Sequence, residues 1–103
     1  MLIQVNFGDV ERSDAIDQFV REKVTSQLGH LADKLTRVEV HLRDDNSSSK
    51  SSHNDKRCTM EARPAGRKPF VVEHTGDDLY SVIAEAAGKL SRAVKKNVDR
   101  AEQ

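Results

Sequence analysis

Residues 77–96 read DDLYSVIAEAAGKLSRAVKK, and the spacing of their apolar side chains decides what the rest of the chain must provide. Leu79, Ile83, Ala86, Ala87, Leu90 and Val94 recur at three- and four-residue intervals, and Val98 extends the run. At about 100° per residue these positions share one face of a helix of about five turns. Asp77 and Asp78 suit its first turn, where negative charge meets the positive end of the helix dipole. Such a helix is stable only against an apolar surface, so the preceding residues have to build one.

They do so by alternation. In RVEVHLR (37–43), Val38, Val40 and Leu42 point one way and Arg37, Glu39, His41 and Arg43 the other, as in a strand with one buried face. KRCTMEAR (56–63) repeats the pattern, with Cys58, Met60 and Ala62 opposite Arg57, Thr59, Glu61 and Arg63. PAGRK then turns the chain, with Pro64 expected at the second position of a type I turn and Gly66 at the fourth. PFVVEHT follows as a strand, with Phe70 and Val72 on its buried side. LIQVNF (2–7) is the first strand.

Between the first two strands, Ile16, Phe19, Val20, Val24, Leu28 and Leu31 trace a second amphipathic helix. Ser13 or Asp14 is its expected N-cap, and Gly29 weakens its last turn before Leu35. DDNSSSKSSHND (44–55) holds no apolar residue and is expected to be a mobile, serine-rich loop. The order is β-α-β-β-β-α, a single α+β domain over residues 1–103. Its expected architecture is a two-layer sandwich, a four-stranded sheet with both helices packed on one face.

Composition narrows the function. The chain has 17 basic and 17 acidic side chains, three Phe, one Tyr and no Trp. That is too few aromatics for a stacking platform along single-stranded nucleic acid. One cysteine, Cys58, forms no internal disulfide, and its place beside Met60 and Ala62 makes it a buried small hydrophobe rather than a nucleophile. His41, His53 and His74 have no partners at the short spacing of a zinc motif, and no glycine-rich phosphate loop exists. No metal, cofactor, small-molecule substrate or enzymatic activity is expected. No apolar run reaches the roughly 18 residues of a membrane span, and MLIQVNFGD lacks the form of a signal peptide. The expected location is cytoplasmic.

Positive charge is concentrated in two places. Residues 56–76 carry Lys56, Arg57, Arg63, Arg67 and Lys68 against Glu61 and Glu73. On the last helix Lys89, Arg92, Lys96 and Arg100 fall within about 80° of one another, with Lys95 a little farther round. Several cations on one face suit phosphate backbones, because binding strength grows with the number of condensed counterions released. The same charges also suit an ordinary solvated face and the negative end of a helix dipole. The candidate RNA contacts are Arg57, Arg63, Arg67, Lys68, Lys89, Arg92, Lys95, Lys96 and Arg100.

The element order and DDLYSVIAEAAGKLSRAVKK together resemble the ribosome hibernation promoting factor family, also called ribosome-associated inhibitor A or sigma-54 modulation proteins. Asp77, Asp78, Leu79 and Tyr80 match the acid-acid-apolar-Tyr opening of that family's last helix, and Lys89, Arg92, Lys95 and Lys96 its basic end. RVEVHLRDDN and DKRCTMEARPAGRKP look like a short, single-domain branch. The resemblance implies a sandwich like that of double-stranded-RNA-binding domains. It implies a protein that binds ribosomal RNA of the small subunit under stress and occludes the mRNA and tRNA sites; the chain itself is expected to be a monomer or weak dimer. A rival reading, favoured by the zero net charge, is a non-enzymatic protein-interaction module that binds a regulatory partner.

Overall fold

A computed structural model describes residues 1–44 and 55–101, the last four of these as backbone only. The elements are β1 (Leu2–Phe7), α1 (Asp14–Leu28), a 3-10 turn (Gly29–Lys34), β2 (Leu35–Asp44), β3 (Lys56–Pro64), β4 (Phe70–Gly76) and α2 (Leu79–Ala101). The order is the expected β-α-β-β-β-α. Residues 45–54 of the serine-rich loop lie outside the described residues.

The sheet runs β1-β2-β3-β4. β1 pairs parallel to β2, with Ile3 beside Val38 and Val5 beside Val40, and α1 is the crossover that a parallel pair requires. β2–β3 and β3–β4 are antiparallel. Val38, Val40 and Leu42 of β2 sit across from Ala62, Met60 and Cys58 of β3, and all six are fully buried. Phe70 and Val72 are half-buried against that core. On the helical side Val20, Val24, Leu28, Ile83, Ala86, Ala87, Leu90 and Val94 complete it. Val82, unforeseen in the apolar stripe, is also buried, wedged against Gly76, where a Cβ would lie 2.9 Å from its Cγ2.

Both helices are capped by side chains. Ser13 Oγ accepts from the Ile16 amide at 3.3 Å, and Asp78 Oδ2 accepts from the Ser81 amide at 3.2 Å and its hydroxyl at 2.7 Å. Asp78 is therefore a cap rather than a first-turn residue. α1 ends at Leu28, and the 3-10 turn carries the chain on to β2. The helices lie side by side in the same direction: Phe19 packs edge-on against Tyr80, centroids 4.8 Å apart, and farther along Ser91 donates to the Gln27 carbonyl at 3.1 Å.

The turn after β3 differs from expectation by one residue. Arg67 N bonds to Pro64 O at 3.4 Å, which puts Pro64 first and Gly66 third. Gly66 has φ +71°, as the third position of a type II turn demands. Pro64 belongs to the strand end, buried beside Leu35.

Each edge of the sheet is held by a cation from the helix layer. Arg21 Nη1 donates to Ile3 O of β1 at 2.9 Å, and Lys89 Nζ to Glu73 O of β4 at 3.0 Å. Cys58 is completely buried, and burial pushes its thiol up to about 12. Native protein at pH 8 should hence show almost no reaction with a disulfide reagent over minutes, with one equivalent reacting at once in denaturant. Rapid native reaction would place Cys58 at the surface.

Candidate nucleic-acid interface

The open face of the sheet carries the outward side chains of the four strands. Arg37 faces Arg63 across β2 and β3, Glu39 faces Glu61, His41 faces Thr59, and Arg43 faces Arg57. Glu39 Oε2 accepts from Arg37 Nη2 at 3.0 Å and lies 3.1 Å from Arg63 Nη2; Arg63 Nε donates to Glu61 Oε1 at 2.7 Å. The bond from Arg63 holds the Glu61 carboxyl below its ordinary range, and Glu61 in turn raises the guanidinium. Arg63 is thus engaged with two carboxylates. At the other end of the same strands Lys56 Nζ bridges Asp44 at 3.0 Å and Asp55 at 3.2 Å, bonds that raise the lysine above its ordinary value.

The helix stripe lies elsewhere. α2 begins beside Gly76, the far end of β4, and passes Glu73 at Lys89. Phe70 lies three residues back along β4, roughly 10 Å away. A helix covers that distance in about seven residues. Lys95 and Lys96 therefore come level with Phe70, at the end of the molecule where the β3–β4 turn displays Arg67 and Lys68. Arg92 folds back over Gly88, whose Cβ would lie 3.3 Å from Arg92 Nη1.

Arg67, Lys68, Arg92, Lys95 and Lys96 are all exposed, and among the described residues none has a carboxylate partner. Arg67, Lys68, Lys95 and Lys96 lie at one basic end, with Arg92 a turn back along α2. Lys89 is half-buried and tied to the β4 edge; Arg63 sits beside this end but is held by Glu39 and Glu61. Arg57 is six residues from Arg63 along β3, roughly 20 Å away, and belongs to the opposite end of the open face. The side chain of Arg100 lies outside those described.

The sequence profile of the sigma 54 modulation protein / S30EA ribosomal protein family matches residues 3–102. The chain belongs to this family. The S30EA match spans every strand and both helices. Two solved structures have the same fold. A ribosomal subunit interface protein from Coxiella burnetii superposes with a TM-score of 0.74 at 17% identity, over 96% of this chain and 99% of that one. The N-terminal domain of Thermus thermophilus Protein Y also gives 0.74, at 25% identity, over 93% and 98%. A search among curated proteins gives no significant match.

Membership in a ribosome-associated family agrees with the resemblance seen in DDLYSVIAEAAGKLSRAVKK. Among the described residues no helix is long and apolar enough to cross a membrane, and no cluster of His, Cys, Asp or Glu could hold a metal ion. The partition of charge between the basic end and the Arg–Glu lattice could not be read from the sequence. It depends on which residues the strand register sets opposite one another.

Proposed function

We propose that this chain is a non-catalytic hibernation factor of the cytoplasm. It binds the small ribosomal subunit through phosphates of ribosomal RNA and, by its bulk, occludes the sites of mRNA and tRNA. The observation that supports this reading is the basic end. Arg67 and Lys68 of the β3–β4 turn and Lys95 and Lys96 of α2, with Arg92 a turn back along the helix, have no carboxylate partner among the described residues. Structured RNA is bound largely through shape, 2′-hydroxyl and phosphate contacts, which suits a surface with cations and few aromatics. One of the two structural neighbours is a ribosomal subunit interface protein, which is in keeping with this reading.

Sedimentation with purified small subunits tests the proposal. Binding is expected at about 50 mM salt and should fall by two or more orders of magnitude by about 200 mM, as five phosphate contacts require. Salt-independent association, or none at low salt, would remove ribosomal RNA as the ligand.

A further inference from the structure

Lys89 belongs to the basic stripe of α2 in the sequence, yet its ammonium is engaged by the backbone of the sheet. Nζ donates to Glu73 O at 3.0 Å and so bridges α2 to β4, the last strand of the sheet. The acceptor residue is itself held in place, because Glu73 Oε2 accepts from the Thr59 hydroxyl of β3 at 3.1 Å. The lysine is half-buried rather than free in solvent.

A second contact fixes α2 on the same strand. Val82 is only 1% exposed, and its Cγ2 lies 2.9 Å from the place a Cβ at Gly76 would take. Valine is stiff at χ1, so that methyl does not swing aside cheaply. Glycine at 76 therefore lets the helix start this close to the strand. The two contacts are in step. Gly76 to Glu73 is three residues back along β4, roughly 10 Å of strand. Val82 to Lys89 is seven residues along α2, about 10.5 Å of helix. A slip of α2 by one residue would displace it about 1.5 Å along β4 and put both contacts out of register.

The basic end lies beyond these two anchors. Lys95 and Lys96 follow Lys89 by roughly 9–10 Å of helix, and they stand level with a turn that belongs to another element. We propose that Lys89, together with Gly76, is a positioning residue for the basic end. It holds α2 in the one register on β4 that brings Lys95 and Lys96 level with Arg67 and Lys68, so that both pairs can meet the same RNA backbone. Lys89 thus acts through alignment and not as a phosphate contact. This inference rests on reading the basic end as the RNA-binding surface, but its geometric half is independent of that reading.

The geometric half is tested by pulsed electron paramagnetic resonance between spin labels on Ala65→Cys and Lys95→Cys. Both positions are exposed, whereas Cys58 is buried and stays unlabelled. Lys89→Met keeps the apolar stem and removes the donor. It is expected to broaden the distance distribution or to shift its mean by about 1.5 Å, the rise of one helical residue. Lys89→Arg, which keeps a donor, should restore the original distribution, and Gly76→Ala should shift it independently. A distribution unchanged in both Lys89→Met and Gly76→Ala would overturn the proposal.

Sedimentation of the unlabelled variants with small ribosomal subunits gives the second readout. Lys89→Met should weaken binding about three- to tenfold with the slope of log affinity against log salt unchanged, whereas Lys95→Met should lower that slope by about one. A slope lowered by about one in Lys89→Met would make Lys89 a phosphate contact and sink the positioning role. If the unsubstituted protein fails to bind the subunit, the reading of the basic end falls, and the distance measurement still decides whether Lys89 and Gly76 set the register.

Discussion

Changing Arg67, Lys68, Lys95 and Lys96 together to glutamate should abolish co-sedimentation with the small ribosomal subunit. Each cation that neutralises a phosphate adds close to one unit to the slope of log affinity against log salt, so four losses should flatten it by about three to four units. At physiological salt the loss is expected to be on the order of 10²–10³-fold, and reversal adds repulsion to it. All four side chains are exposed and have no carboxylate partner among the described residues, so the fold should tolerate the change, each substitution costing within about 0.5 kcal/mol. The same reversal applied to Arg37 and Arg63 is the control. It would break the Glu39 and Glu61 bridges, lowering stability without changing the salt slope. Undiminished sedimentation of the quadruple variant would put the RNA contact somewhere other than the basic end. A pull-down from nuclease-treated extract separates the rival class, since a partner protein retained without ribosomal RNA would favour an interaction module.

The second large effect is on stability. Leu90 is fully buried, stands midway along the apolar stripe of α2 and belongs to the same core as Val40 and Met60, against which Val72 packs. Leu90→Ala removes three carbons and leaves a cavity that a four-stranded sheet cannot close by local movement. The expected cost is about 2–5 kcal/mol, out of the roughly 5–15 kcal/mol a domain of this size possesses. The thermal midpoint should drop by about 10–20 °C, read by far-UV circular dichroism. A shift under about 3 °C would mean that α2 is not seated as described. Val71→Ala is the matched control: Val71 is 59% exposed on β4, so its truncation should be close to neutral.

Much of this architecture is legible in single stretches. The alternation in RVEVHLR and KRCTMEAR separates core from open face correctly because strand period is a local property, and the stripe of α2 follows from its spacing in the same way. What escaped is relational. The parallel pairing of β1 with β2 joins residues about 35 positions apart, and nothing in LIQVNF itself announces it. Pro64 suggested a type I turn from its own preference, but Leu35 across the sheet draws it into the strand and shifts the turn by one residue. Val82 was missed because its burial depends on the absence of a side chain at Gly76.

The candidate site shows the same division. Counting cations identified Arg67, Lys68, Arg92, Lys95 and Lys96, which remain available. It could not see that Lys89 is tied to Glu73 O, that Arg63 is shared between two glutamates, or that Arg57 lies at the other end of its strand. Those facts come from register and packing rather than composition.

The cations at the two sheet edges have a further consequence, for behaviour at high concentration. A molecule with 17 charges of each sign gains little long-range repulsion between copies near neutral pH. A bare strand edge would then be an invitation to add the next chain's strand, and so to grow fibrils. Arg21 and Lys89 each hold a backbone carbonyl of an edge strand, so a neighbouring strand that pairs there would first have to displace a charged ammonium or guanidinium. Protection against edge-to-edge pairing is thus expected to come from these two local contacts more than from overall charge.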